Sequence, residues 1–197
     1  MDDGSLTSFD LDGGFTLRRF RSEDAEAVYS AVIANRDHLR EYMHWMVPDY
    51  SIEHAKEFLA SSKTAAEEKK SLGFGIFKGP DLIGSIGFVN FDHAARRTEI
   101  GYWIDKAHEG QGIISRSCRS LINYAFEDLR MNRIEIRCST ENVRSASIPL
   151  RFGFVLEGTL RQSEFRNGRL HDFAVYGLLL AEWSSLEGEV RNGSMVS

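Results

Sequence analysis

The sequence predicts a single mixed α/β (α+β) domain, in which one β-α-β crossover interrupts an otherwise antiparallel sheet. The segments GFGIFKG, DLIGSIGFVNF and RTEIGYWI follow one another with only short turns between them, which predicts an antiparallel meander. The next segment, IISRSCRSLINYAFEDL, has apolar residues at helical spacing and leads into the strand-like RIEIRCS, which predicts the crossover. A chain of 197 residues with 42% hydrophobic content is large enough for one well-formed core.

The predicted order of elements is β-α-α-β-β-β-α-β-α-β-β. The first strand is FTLRRF, and Ser22 caps the helix that follows it, with two carboxylates in the first turn where the helix dipole favours them. Ser51 opens a second helix that runs to about Lys70. The last two strands meet at Asn167-Gly168, a dipeptide that favours a type I′ hairpin turn.

The two ends of the chain are polar and lack periodicity. We therefore expect residues 1–13 to be a flexible leader, residues 14–183 to form the domain and residues 184–197 to be a flexible tail.

Composition argues against several classes of protein. A formal net charge of -5 is untypical of a general nucleic-acid binder. The N-terminal segment lacks the apolar core of a signal peptide, and no apolar run approaches the ~20 residues of a membrane helix. Two cysteines and six histidines stand without metal-ligand spacing, so we expect buried free thiols, no metal and a cytoplasmic location.

The stretch HEGQGIIS stands between a predicted strand and a predicted helix. Gly110 and Gly112 allow the backbone to approach a ligand, and a helix N-terminus offers unpaired N–H groups to an anion. A glycine-bearing turn without any ligand fits the local pattern equally well. The stretch is not a P-loop, and it only partly matches a dinucleotide fingerprint, whose repeated β-α-β units are missing here.

Three segments in order carry a more specific signal: TEIGYWIDKAHEGQGIISRSCRSLINYAF, NRIEIRCSTENVRSASIPLRFGFVLEG and FRNGRLHD. Together they resemble the GCN5-related N-acetyltransferase (GNAT) superfamily, in particular its RimJ/RimL-type branch, which acetylates the N-termini of ribosomal proteins. The resemblance covers roughly Phe15 to Trp183. It implies an acyl-CoA N-acyltransferase fold whose sheet is splayed between the fourth and fifth predicted strands, with acetyl-CoA as co-substrate and no metal.

The resemblance also implies where the coenzyme binds. The pantetheine arm would pair with the backbone near Trp103 and Ile104, where one N–H would polarise the thioester carbonyl. Asn142 matches a coenzyme-contacting residue, or it caps a helix, or both. The pyrophosphate would be bound by Glu109, Gly110, Gln111, Gly112, Ile113, Ile114 and Ser115. Glu109 stands where Gln or Arg is usual in the family, and its carboxylate would repel the phosphates unless it points away.

Acetyl transfer to an amine needs a base for the amine and a proton for the departing thiolate. Glu99 matches a Glu of the RimL type and is the candidate base, acting through water; on spacing alone it could instead be a surface carboxylate paired with Arg96 or Arg97. The segment after Glu141 has no Tyr, the acid of many superfamily members. Ser145 matches a Ser of the branch and is the candidate to orient or relay the proton, or it bonds local backbone.

The acceptor channel would be flanked by Tyr42, Trp45, Phe88 and Asn90, whose alternative role is core or subunit packing. The resulting hypothesis is an acetyl-CoA-dependent enzyme that acetylates a primary amine, in particular the N-terminal α-amine of a ribosomal protein. The alternatives are acetylation of a small amine (an antibiotic, a polyamine or an amino acid) and a non-catalytic CoA-binding module. We expect no direct contact with nucleic acid or membrane, and a homodimer stays open.

Overall fold

The structure is a computed structural model that describes residues 8–193, except for the side chains at 187 and 189–193. These residues form one eight-stranded sheet and six α-helices. The strands are β1 (Ser8–Asp10), β2 (Phe15–Arg19), β3 (Leu72–Lys78), β4 (Asp81–Asp92), β5 (Arg97–Ile104), β6 (Arg133–Ser139), β7 (Val155–Arg166) and β8 (Arg169–Leu179). The helices are α1 (Ala25–Ala34), α2 (Arg36–Tyr42), α3 (Ile52–Glu67), α4 (Ile113–Glu127), α5 (Val143–Arg151) and α6 (Leu180–Gly193).

The strand order across the sheet is β1-β2-β3-β4-β5-β6-β8-β7. All neighbours are antiparallel except β5 and β6, which α4 joins as a parallel pair. Those two strands pair only over Arg97–Glu99 and Arg133–Glu135, although both continue for several residues. The sheet is therefore splayed between β5 and β6. These are the fourth and fifth strands of the sequence prediction, so the predicted fold class and its splay are confirmed.

Two apolar clusters cover the two faces of the sheet. The helices α1, α2 and α3 pack on one face through residues such as Val28, Leu39 and Leu59. The helices α4, α5 and α6 pack on the other face, where Leu121 and Trp183 are buried. Because side chains alternate along a strand, β5 sends its odd-numbered side chains toward α1–α3 and its even-numbered ones toward α4 and α5.

The predicted ends of the domain need correction. Residues 8–10 of the expected leader form β1, which pairs with β2 and packs Phe9 against Phe74. The expected tail is helical as far as Gly193, because α6 packs Trp183 into the core. Residues 1–7 and 194–197 lie outside the described part of the chain.

The helices before the meander are three instead of two. The segment between the two predicted helices contains a further helix, α2, and Ser22 lies in a short 3-10 turn before α1 instead of capping it. Ser51 is the N-cap of α3, as predicted. Asn167 and Gly168 have φ values of 51° and 80°, so the hairpin between β7 and β8 has the two left-handed residues that a type I′ turn requires.

Within residues 8–193, no helix combines the length and the apolar content needed to cross a lipid bilayer. Cys118 and Cys138 are buried free thiols, as the sequence predicted.

Candidate active site

The glycine loop exposes backbone at the start of α4. Gly110 and Gly112 have φ values of 73° and 71°, a left-handed conformation that side chains rarely adopt, and Gly112 is the N-cap of the helix. Ile113 and Ile114 bury their side chains in the core, so only their backbone can face a ligand. The loop thus presents the N–H groups of a helix N-terminus, which suit a phosphate group.

Arginine side chains fix the conformation of this loop from both ends. Arg116 donates from Nε to the Leu11 carbonyl (2.8 Å) and from Nη1 to the Gln111 carbonyl (3.2 Å). Arg151, at the end of α5, donates to the Ser115 hydroxyl at 2.9 Å. The first bond holds the loop against the N-terminal hairpin, and the second links α4 to α5 beside the splay.

Glu109 turns its carboxylate toward α2 and α5. The guanidinium of Arg144, in the first turn of α5, forms a close ion pair with Glu109 Oε2. Nε2 of His38, on α2, lies 3.3 Å from Glu109 Oε1. The carboxylate is therefore occupied by two basic side chains from outside the loop. The sequence predicted the loop but gave no sign of these partners.

The open edge of β5 is set by its hydrogen bonds to β4. The Asp105 N–H donates to the Ile83 carbonyl at 2.7 Å, and antiparallel pairing alternates from there along the strand. Trp103 therefore directs its N–H toward β4, whereas Tyr102 and Ile104 direct theirs into the splay. Of the two residues predicted beside the pantetheine arm, Ile104 has its N–H on the open side of the strand, whereas Trp103 has its N–H bonded toward β4. The N–H of Tyr102 also lies on the open side.

Tyr102 also reaches across the splay with its side chain. Its hydroxyl lies 3.1 Å from both Oγ and the carbonyl oxygen of Ser145 on α5. Burial raises the pKa of Tyr102 well above its ordinary value, so the phenol stays protonated. The Asn142 side chain accepts from the Ser145 N–H at 3.0 Å, which makes Asn142 the N-cap of α5. Sequence reasoning missed Tyr102 because its apolar neighbours resembled core.

Glu99 lies on the opposite face of β5, half-buried below α1–α3. Arg137 on β6 is its nearest cation, with Nε 3.5 Å from Glu99 Oε2. Arg137 also binds Glu135, as does Arg97, so Arg97 is not the partner that the sequence suggested for Glu99. Burial raises the pKa of Glu99 above its ordinary value, the charge of Arg137 lowers it and that of Glu135 raises it. A carboxylate with a raised pKa beside a cleft is a candidate base.

The predicted acceptor residues Tyr42 and Trp45 lie at the end of α2 and in the segment after it, next to the hairpin β7–β8. The rings of Trp45 and Trp103 have centroids 6.5 Å apart on the same face of the sheet as Glu99. The Tyr42 carbonyl accepts from Arg166 at 3.3 Å, which ties this segment to β7. Glu164 forms an ion pair with Arg166 and lies 3.5 Å from His44 Nδ1.

Two of the four predicted acceptor residues, Phe88 and Asn90, lie apart from Tyr42 and Trp45. Phe88 is only 1% exposed and packs against the rings of Phe91 and Tyr124, so it is a core residue, because β4 directs it toward α4. Asn90 lies in a bulge near the end of β4, exposed and with a left-handed backbone. It follows Val89, the register partner of Glu99, and lies farther along β4 from Ser85, the partner of Trp103.

Across the described part of the chain, His, Cys, Asp and Glu side chains form no group of three or more that could hold a metal ion. The polar groups at the splay are instead backbone donors, hydroxyls and carboxylates, which suit acyl transfer.

Known proteins are similar to this chain in both sequence and fold. The acetyltransferase (GNAT) domain family matches residues 15–155. The chain is 35% identical to the putative ribosomal N-acetyltransferase YdaF of Bacillus subtilis (strain 168), over 88% of this chain and 94% of the relative. It is 32% identical to the ribosomal-protein-serine acetyltransferase of Escherichia coli (strain K12), over 83% and 92%.

A solved structure of the microcin C7 self immunity acetyltransferase MccE, in complex with acetyl-CoA and AMP, is similar to this fold. It is 28% identical with a TM-score of 0.80, over 86% of this chain and 94% of that one. The resemblance inferred from the sequence is therefore confirmed, and the chain belongs to the GNAT family of acetyltransferases.

Proposed function

We propose that this acetyltransferase uses acetyl-CoA to acetylate the N-terminal α-amine of a protein, in particular a ribosomal protein, in the cytoplasm. Two relatives that are 35% and 32% identical over most of their length are named a putative ribosomal N-acetyltransferase and a ribosomal-protein-serine acetyltransferase. The observation that carries the proposal is the convergence at β5. Its open backbone edge, the Tyr102–Ser145 pair and the carboxylate of Glu99 surround one short stretch of strand beside the glycine loop.

The residues of the loop fit acetyl-CoA, which supplies the acetyl group as a thioester. Left-handed glycines and the N-terminus of α4 favour an anion, and the one carboxylate of the loop, on Glu109, is paired with Arg144. The N–H groups of Tyr102 and Ile104 can stabilise negative charge on the carbonyl oxygen in the transition state. This backbone donor edge binds and polarises without any metal.

The base in this proposal is Glu99, through a water. An α-amine has a pKa of ~7.7–8.0, so roughly a tenth of it is neutral at pH 7, whereas a lysine at ~10.4 is almost fully charged. A carboxylate is therefore an adequate base for an N-terminus. Gly101, between Glu99 and Trp103 on the same face, leaves open space where a side chain would stand.

Ser145 and Tyr102 supply the proton that the thiolate needs as it leaves. The Ser145 hydroxyl is a poor acid alone, but the phenol of Tyr102 is a second proton donor within hydrogen-bond distance. The pair replaces the single tyrosine that many members of the superfamily use. Direct attack by the amine fits this arrangement, which needs no covalent intermediate on the protein.

The acceptor would enter between Tyr42, Trp45 and the β7–β8 hairpin. Aromatic faces can hold the apolar part of an N-terminal residue, and the Glu164 carboxylate can attract its amine. The bond from Arg166 to the Tyr42 carbonyl keeps the two walls together.

Turnover against a panel of acceptors tests the proposal. Peptides that begin with Ser or Ala, from ribosomal proteins, should be acetylated with kcat/KM at least tenfold above that for polyamines, aminoglycosides and free amino acids. If only small amines react, the ribosomal acceptor is refuted while the acetyltransferase stands. If acetyl-CoA does not bind at millimolar concentration, the co-substrate is refuted as well.

The proposal includes a homodimer that forms through the edge strand β7. Its outer residues include the exposed apolar side chains Val155, Leu156 and Leu160, and an edge strand is a template for pairing with a second copy. Light scattering at micromolar concentration should give twice the mass of 22.3 kDa, and a monomer would contradict this part.

A further inference from the structure

A carboxylate in the glycine loop creates an electrostatic problem for the proposed co-substrate. Glu109 directly precedes Gly110 in the loop whose backbone donors would hold a pyrophosphate. A free carboxylate there would repel the phosphates, because like charges a few ångströms apart raise the free energy of binding. Tight coenzyme binding therefore needs Glu109 to be neutralised or turned away.

The structure contains an ion pair that does both. Glu109 lies after β5, on one side of the splay, whereas Arg144 lies in the first turn of α5, on the other side. Their ion pair joins the two sides, and His38 on α2 approaches the second carboxylate oxygen at 3.3 Å. The Glu109 side chain is 22% exposed and that of Arg144 is 78% exposed, so the Glu109 carboxylate is the more enclosed member of the ion pair.

The position of Arg144 in the fold is also well defined. The Asn142 side chain caps α5 one residue before its first helical position, and Tyr102 holds Ser145 beside it. Arg144 lies between these two anchors, so its backbone cannot shift far from Glu109. A flexible side chain on an anchored backbone can hold a carboxylate partner even when it is exposed.

We propose that Arg144, with His38 as its helper, is a positioning residue for the coenzyme site: it keeps the Glu109 carboxylate neutralised and turned away from the bound pyrophosphate. It acts through Glu109 and needs no contact with the coenzyme. The inference rests on the proposed use of acetyl-CoA. Its consequence is that Arg144 matters only because position 109 is acidic.

A double-mutant cycle tests this by direct binding of CoA and acetyl-CoA in calorimetry, without an acceptor. Arg144→Gln should weaken binding by about two- to fivefold, the range expected for one exposed charge interaction. Glu109→Gln alone should bind as tightly as the wild type or more tightly. The double variant should bind like Glu109→Gln, because no carboxylate remains to repel the phosphates.

The outcomes separate this mechanism from its competitor, a direct contact between Arg144 and a phosphate. If the double variant binds as weakly as Arg144→Gln, the direct contact is correct and the inference is overturned. Unchanged binding by Arg144→Gln overturns it too. If the wild type itself fails to bind acetyl-CoA, the proposed co-substrate falls, which is a different result from either.

Two controls make the effect specific. Turnover of S-acetylpantetheine, which lacks all phosphates, should be equal in the wild type and Arg144→Gln; an equal loss with both thioesters would indicate a structural defect and contradict the inference. Glu141→Gln removes another carboxylate near α5, which pairs with Arg169 (2.9 Å) and lies 3.2 Å from His171 Nδ1, and should leave coenzyme binding unchanged. Thermal unfolding of each variant confirms that it is folded.

Discussion

The hydroxyl of Tyr102 lies 3.1 Å from the hydroxyl of Ser145, which joins β5 to α5 across the splay of the sheet. The phenol also lies 3.1 Å from the Ser145 carbonyl, so it can donate to this carbonyl while its oxygen accepts a hydrogen bond from the Ser145 hydroxyl. The two residues come from opposite sides of the gap where the sheet opens. Because Ser145 is also fixed by the cap of α5, its Oγ has a defined position beside the open edge of β5.

Ser145→Ala should lower kcat by about tenfold to a hundredfold and leave KM for acetyl-CoA nearly unchanged, because a lost proton donor affects the chemical step. Tyr102→Phe should act in the same direction. The double variant should be no slower than the slower single one, since the residues act as a unit. Steady-state kinetics provides the measurement, and fully additive losses would show that the two hydroxyls act independently.

Glu99→Gln should bind acetyl-CoA normally but lower kcat/KM by about a hundredfold at neutral pH. The pKa of Glu99 is raised by burial, so its base form is lost at a higher pH than for an ordinary glutamate. The acidic limb of the wild-type profile should therefore contain this group in addition to the substrate amine, and Glu99→Gln should leave only the amine.

Arg137→Gln is a companion test of the same group. Removing the cation that lowers the pKa of Glu99 should move its part of the acidic limb to higher pH, with little change at the plateau. A pH profile of kcat/KM measures the shift. A limb that stays in place in this variant and in Glu99→Gln would remove Glu99 from the mechanism.

Gly101→Val should leave the fold intact and abolish most turnover. A Cβ at Gly101 meets no atom within 4 Å, and valine suits a strand, so stability should change by less than about 1 kcal/mol. The added methyl groups would fill the space between Glu99 and Trp103 that the reacting groups need. Gly158→Val on β7, also in open space, is the matched control and should keep wild-type activity. Equal activities in both variants would place the reaction elsewhere.

Asp24→Asn should destabilise the domain by about 1–3 kcal/mol at neutral pH, because Asp24 binds Arg18 through two hydrogen bonds of 2.7 Å and is buried. The hydrogen bond from Arg18 is the main cause that lowers the pKa of Asp24. Its stabilising effect is therefore complete above the unfolded pKa of ~3.9 and disappears as the pH falls through the lower folded value.

Urea unfolding at several pH values checks this. The gap between wild type and Asp24→Asn should narrow in acid. Glu53→Gln, which breaks the exposed pair with Lys56, should leave the stability nearly unchanged at any pH. A gap that does not depend on pH would mean that packing, and not the charge of Asp24, carries the effect.

The order of the main elements, the glycine loop and the Asn167-Gly168 turn can be predicted from the sequence, because these depend on periodicity and backbone preference within a few residues. The sequence could not show where the domain begins and ends. A three-residue strand such as β1 has no local signal and exists because β2 pairs with it, and α6 is helical in a polar segment because Trp183 is buried.

Which side chains contact one another depends on the tertiary structure. Tyr102 and Ser145 are 43 residues apart, and Glu109 and Arg144 are 35 apart. Sheet register and the splay bring both pairs together, and neither leaves a pattern in the sequence. The register of the sheet also places Phe88 in the core, because side chains on a pleated strand alternate between the two faces of the sheet.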